Sequence, residues 1–267
     1  MQFMNSTTSP VPVVMAVSGS DPTGGAGIQA DIETISSLGC HTAPVITSVT
    51  VQNTINVLEA SPVDEDLIIE QARIILEDMS IAAIKIGLVG SEEAARAIHT
   101  LLVDYPDIPV VLDPVFLAGG GKVLAEDNVV QAISALLVPL SSVVTPNCRE
   151  VRMLAPEGDT LEACAMAVLE QGAHYVLLTD GQENSREVQN ILFGNHRNLS
   201  SHAWPRLPEQ YHGSGCTLAA AIAALIGHGH EVVSAVYQAQ EFTWKSLHAA
   251  HQLGMGQKIP NRFHWAR

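Results

Sequence analysis

Short continuous apolar runs alternate along the chain with stretches in which apolar residues recur every three or four positions. The run Val11 to Val17 (VPVVMAV) is unbroken and closes on Ser18-Gly19, as a strand buried on both faces does. From Gly27 to Leu38, Ile28, Ile32, Ile35 and Leu38 form one helical stripe, and Gly39 is placed to end it. Residues 41–51 return to β composition. Between Asp64 and Met79 a second stripe (Ile68, Ala72, Ile75, Met79) follows Asp64, Glu65 and Asp66, which suit a helix N-terminus. The pattern predicts further strands at 82–87, 109–115, 141–147 and 174–181, separated by helices near 91–103, 126–137 and 160–171. Runs at 189–194 and 198–203 follow each other directly, so this end of the sheet turns antiparallel. Helices near 215–227 and 231–251 close the chain. The expectation is one α/β domain over residues 1–267, its mostly parallel central sheet covered by helices on both faces. Residues 1–10 are expected to be flexible.

Composition narrows the function. Thirteen basic against 28 acidic residues give a formal charge of −15 with no basic run, which argues against nucleic acid and anionic membranes as partners. A phosphorylated substrate would have to be held by backbone N–H groups, a few cations and a metal ion. The four cysteines (Cys40, Cys148, Cys164, Cys216) are scattered, so neither a zinc site nor a disulfide framework is expected, and the compartment is reducing. The opening MQFMNSTTSP lacks the features of a signal peptide, and the most apolar stretch, 218–226, is too short to span a bilayer. A cytoplasmic protein is expected.

In parallel sheets ligands sit beyond the carboxyl ends of the strands. The unusual residues collect there: Ser18–Gly27, Gln52-Asn53-Thr54, Gly87-Leu88, Asp113-Pro114, Pro146-Asn147 and Thr179–Gly181. SGSDPTGGAGIQAD (18–31) fits neither G-x-x-x-x-G-K-[ST] nor G-x-G-x-x-G, and reads as a loop that lets backbone approach a small ligand. Asp31 could accept hydrogen bonds from an amino group or hydroxyl, or simply favour the helix start. The amides of Gln52 and Asn53 suit a heteroaromatic ring edge, with turn chemistry an equal account of Asn53. Asp113 could coordinate a hydrated Mg²⁺, and Asn147 and Glu150 would share a face if their segment is helical. In HGSGCTLAA (212–220), Gly213 and Gly215 permit a turn whose N–H groups converge where the following helix adds its positive end, an anion hole for a transferring phosphoryl group. Cys216, at that helix N-terminus, is predicted to have a lowered pKa and to be partly thiolate. A Cys216–His212 nucleophile pair lacks an identifiable third member. The remaining cysteines read as buried filler.

These stretches together resemble the hydroxymethylpyrimidine/phosphomethylpyrimidine kinases of thiamine biosynthesis, within the ribokinase superfamily. VSGSDPTGGAGIQADIETISSLG, VITSVTVQNT, IKIGLVG, VVLDPV, TPNCRE and GSGCTLAAAIAAL occur in family order across roughly residues 13–250. The resemblance implies a ribokinase-like three-layer sandwich. It implies ATP-dependent phosphorylation of 4-amino-5-hydroxymethyl-2-methylpyrimidine, then of its monophosphate to the diphosphate, with Mg²⁺. By resemblance the pyrimidine is held by Gly19, Asp31, Gln52, Leu88 and Val115. Gly213, Ser214, Gly215 and Cys216 match the anion hole, with Cys216 taking the hydroxyl proton. Asp113, Asn147 and Glu150 match the metal and phosphate region, Asp113 and Glu150 as metal ligands. One departure stands out: where the family has a lysine, in a pattern like V-L-x-K-G-G, this chain has VLLTDG, with Thr179 and Asp180. Lys122 is the candidate substitute. The partners expected are the pyrimidine, ATP and, in a homodimer, a second copy of the chain. A pyridoxal kinase of the same fold and a non-catalytic pyrimidine-binding sensor are the competing readings.

Overall fold

The computed structural model describes residues 11–119, 121–181 and 185–266; the expectation for residues 1–10 lies outside them. Among the described residues nine strands form one sheet: β1 (Val13–Ser20), β2 (His41–Gln52), β3 (Val57–Pro62), β4 (Ile81–Ile86), β5 (Val110–Leu112), β6 (Val143–Val144), β7 (Tyr175–Leu178), β8 (Glu187–Gly194) and β9 (Arg197–Pro205). Their spatial order is β3-β2-β1-β4-β5-β6-β7-β8-β9. The strands from β2 to β7 pair in parallel, and β3, β8 and β9 add antiparallel edges. The central runs are continuously apolar because both faces are covered. Met15 and Val17 of β1 join the core beneath α2 (Glu65–Asp78), α3 (Glu92–Asp104), α4 (Asp127–Ala132), α5 (Cys148–Leu154) and α6 (Leu161–Glu170). Val14 and Ala16 point the other way, into the core beneath α1 (Gly27–Ser37), α7 (Ser214–Gly227) and α8 (Val232–His248). Every residue of α7 from Cys216 to Leu225 is buried, as its nearly all-apolar sequence requires.

Several local readings hold in detail. Gly39 ends α1 with φ +81°, while the Gly39 and Cys40 N–H groups donate to the Ser36 and Ile35 carbonyls. Asp64 caps α2 through the N–H groups of Asp66 and Leu67. Others shift. β1 does not stop at Ser18 but runs to Ser20, with a change of register between Ser18 and Ser20. The inward face of α1 carries Ile28, Ala30, Asp31, Thr34 and Ile35, and Ile32 is 39 % exposed. The stripe is rotated because Asp31 has a charged partner inside. The helix expected to reach residue 137 passes into a π turn (Ile133–Leu137) and then a short 3₁₀ turn (Val138–Leu140) around Pro139, which has no N–H to continue the ladder. β3 has no counterpart in the apolar pattern, since Leu58–Pro62 is exposed.

The strand order reverses at β1, between β2 and β4. A crevice opens at such a switch point, beyond the carboxyl ends.

Candidate active site

A cavity of about 490 Å³ occupies that crevice. One part is walled by Gly19, Gln52, Val57, Leu88 and Val115, from β1, β2, β3 and the loops after β4 and β5. Another is walled by Val188, Trp204, Leu207, Trp244 and Leu247, from β8, β9 and α8. Gly213, Ser214 and Gly215, at the start of α7, line it too. Gly213 has φ +74°, and a side chain there would run into the Gly25 carbonyl. The two glycine-rich segments therefore touch, which no other residue at Gly213 would allow. The first N–H groups of α7 have no intrahelical acceptors and carry the positive end of the helix.

Asp21 organises the loop facing this turn. Its carboxylate accepts from Thr23 N–H (2.8 Å), Thr23 Oγ1 (2.9 Å) and Ala26 N–H (2.8 Å). It also lies 2.8 Å from Nε2 of His212, the residue before the turn. Burial disfavours the Asp21 charge, but the bonds from His212 and Thr23 prevail and hold its carboxyl below the ordinary range. From sequence Asp21 was not singled out, and His212 was weighed only as a partner for Cys216. The available signal was local: an Asp accepting from the N–H two residues on is the turn that Asp-Pro-Thr-Gly encodes.

Asp113 and Glu150 are both buried at the cavity floor, and Asp113 faces Gly215. Burial raises Asp113, opposed by the Lys85 charge. Burial, and then the Asp113 charge, raise Glu150 to about 8. Oδ2 of Asp113 has no hydrogen-bond partner. Two adjacent acids with an unpartnered oxygen fit a hydrated divalent cation. Among the described residues no three His, Cys, Asp or Glu side chains gather to hold a metal, so an ion here would need water and phosphate oxygens as well. Asn147 and Glu150 do share the start of a helix, but their side chains form its capping box. Asn147 Oδ1 accepts from Arg149 and Glu150 N–H, while Glu150 accepts from Asn147 N–H at 2.9 Å.

Three predicted residues lie outside the cavity wall. Asp31 is fully buried, with Lys85 Nζ 2.9 Å from each of its carboxylate oxygens. Cys216 is 9 % exposed, in the electrostatic reach of Lys85, Asp113 and Asp31. Its expected thiolate character is corrected. Burial pushes the thiol up to about 12, and the Asp113 and Asp31 charges add to this, against the opposing Lys85 charge and Gly27 backbone. The helix end cannot offset that environment. Lys122 reaches the Leu58 carbonyl at the exposed edge instead. Thr179 lines the cavity, its N–H bonded to the Pro146 carbonyl at 2.9 Å. Asp180, in a left-handed conformation at φ +53°, pairs with Arg206 through NH1 (3.1 Å) and NH2 (2.5 Å). Arg206 is the only Lys or Arg among the described residues lining the cavity.

A mostly parallel sheet, an elongated crevice at its switch point and a glycine turn opening a buried helix define a small-molecule phosphotransferase of the ribokinase-like class. The chain belongs to the phosphomethylpyrimidine kinase family, whose model matches residues 21–261. It is 36 % identical over 250 residues to the hydroxymethylpyrimidine/phosphomethylpyrimidine kinase of Rhizobium meliloti, covering 92 % of this chain and 94 % of that one. Among solved structures it resembles an ADP complex of Bacillus subtilis pyridoxal kinase, with TM-score 0.87 and 26 % identity over 96 % of this chain and 98 % of that one. It also resembles the phosphomethylpyrimidine kinase of Clostridium difficile, with TM-score 0.75 and 30 % identity over 87 % and 97 % of the two chains.

Proposed function

We propose that this chain transfers the γ-phosphoryl group of ATP to 4-amino-5-hydroxymethyl-2-methylpyrimidine, and then to the resulting monophosphate. The observation that carries the reading is one crevice of about 490 Å³ lined by Gly19, Gln52, Asp113 and the Gly213–Gly215 turn. Gly19, Gln52, Leu88 and Val115 hold the pyrimidine, and the Gly213–Cys216 N–H groups meet the phosphoryl charge. Asp113 and Glu150 are the residues that would hold Mg²⁺, which when bound neutralises charge on the phosphates. Arg206 takes the part expected of Lys122, giving a fixed cation to the nucleotide phosphates from the cavity wall.

Asp31 acts from beneath the site through its pair with Lys85. Cys216 enters as a neutral thiol. A loose transition state tolerates this, because the hydroxyl proton leaves late and positioning contributes most. The second phosphorylation needs a base still less, since its nucleophile is already a phosphate.

Exposed Val49, Val51, Ile55 and Leu58 on and beside the β2–β3 edge support a homodimer, which light scattering on the eluting protein would check. The free cysteines and acidic surface fit the cytoplasm. The fold likeness to pyridoxal kinase favours a second alcohol, pyridoxal. Coupled ADP release decides: kcat/KM is expected to be higher for the pyrimidine alcohol than for pyridoxal, and the reverse order makes this a pyridoxal kinase.

A further inference from the structure

The C-terminal segment passes behind the anion-binding turn. The Lys258 carbonyl accepts the His212 N–H and its own N–H donates to the Gln210 carbonyl, both at 2.9 Å, so the chain just before the turn is pinned. Four residues on, Arg262 points inward and is 1 % exposed, the bulkiest of the fully buried side chains among the described residues. Its NH2 donates to the Gly25 carbonyl, NH1 to Glu33 Oε2 (2.9 Å) and the Gly24 carbonyl (3.4 Å), and Nε to Thr217 Oγ1 (3.0 Å). The Thr217 hydroxyl and N–H both donate to the Gly213 carbonyl, at 2.8 and 2.9 Å.

A buried guanidinium is costly unless its donors are met. Here a single half-exposed carboxylate meets one donor, and the others go to neutral oxygens of the two glycine segments. The Gly24 and Gly25 carbonyls converge, which is unfavourable without a shared donor. Because a peptide unit is planar, holding its carbonyl fixes the N–H on its opposite side. Holding Gly25 thus aims the Ala26 N–H at Asp21, where it is found at 2.8 Å. Holding Gly213 aims the Ser214 N–H, the first donor of the anion-binding turn.

We propose that Arg262 is a positioning residue for the anion-binding turn, acting through Thr217 on the Gly213 peptide and directly on the loop that faces it. It touches neither ligand. Its effect is to keep the N–H groups converged before phosphate arrives, so that phosphate binding costs no rearrangement. The inference rests on the kinase reading of the cavity.

The test uses the full-length protein and the variants Thr217→Ser, Thr217→Val and Arg262→Lys, with kcat, both KM values, ADP affinity by calorimetry and melting temperature. Thr217→Ser keeps the hydroxyl and is expected to stay within about twofold of wild type. Thr217→Val is nearly isosteric and keeps the fold, yet should lower kcat and ADP affinity roughly 5- to 50-fold, with the pyrimidine KM little changed. Arg262→Lys should do the same, and the double variant should lose no more than the worse single, because both break one chain of bonds. Additive losses, or Thr217→Val with wild-type ADP affinity, would overturn the proposal. A wild-type protein that binds ADP but phosphorylates neither alcohol refutes the kinase reading alone, and the ADP affinities then decide this one. A wild-type protein that binds no ADP refutes both.

Discussion

Lys85 and Asp31 form an ion pair with no solvent contact, each side chain 0 % exposed and Nζ 2.9 Å from the carboxylate. The pair joins β4 to α1 directly beneath the cavity. Removing one partner leaves an uncompensated buried charge, a loss of about 3–5 kcal/mol in comparable cases. Asp31→Ala should therefore lower the melting temperature sharply, while the pyrimidine KM of whatever protein folds stays close to wild type. A large KM increase with unchanged stability would return Asp31 to the role of substrate contact.

Cys216 is predicted to be unreactive. With its thiol pushed up to about 12 by burial and neighbouring carboxylates, almost none is thiolate near neutrality. Alkylation by iodoacetamide at pH 8, followed by peptide mass spectrometry, should find Cys216 modified far more slowly than a free thiol. Cys216→Ala should cost both phosphorylations by a similar, modest factor. Fast labelling, or a loss confined to the first step, would reinstate a thiolate base.

Arg206 should govern nucleotide affinity. Arg206→Gln is expected to raise the ATP KM roughly 10-fold, the order of one charge-assisted phosphate contact, with the pyrimidine KM within twofold. Lys122→Ala should leave both unchanged, since that ammonium lies at the exposed edge. Introducing Lys by Thr179→Lys should recover part of the Arg206→Gln loss.

The Asp21–His212 contact makes a pH prediction. The folded carboxyl titrates below its ordinary 3.8, so its contribution is complete above that value and disappears as pH falls through the depressed one. The difference in melting temperature between wild type and Asp21→Asn should be largest near neutrality and close as the solution is acidified below about pH 4. A difference that does not vary with pH would mean that the Asp21 charge contributes nothing.

What could be read from the chain was what local rules decide. The parallel sheet was legible because strands covered on both faces must be continuously apolar, as Val14 to Val17 are. The Gly213 turn was legible because its left-handed backbone demands glycine. Lys85 was not, because its partner lies 54 positions away and no periodicity announces a buried pair. That pair also displaced the α1 stripe, turning Asp31 inward and Ile32 out. For Cys216 a sound local rule about helix ends gave the wrong direction, because tertiary burial outweighed it. Arg262 left no local trace, since its carbonyl partners are 237 and 238 positions away.

The most direct test follows the products of one purified protein by mass spectrometry, with the pyrimidine alcohol, Mg²⁺ and excess ATP. The kinase reading predicts the alcohol giving way to the monophosphate and then the diphosphate, with two ADP formed per pyrimidine. Unchanged pyrimidine from a protein that turns over pyridoxal, or that binds the alcohol without forming ADP, would contradict it.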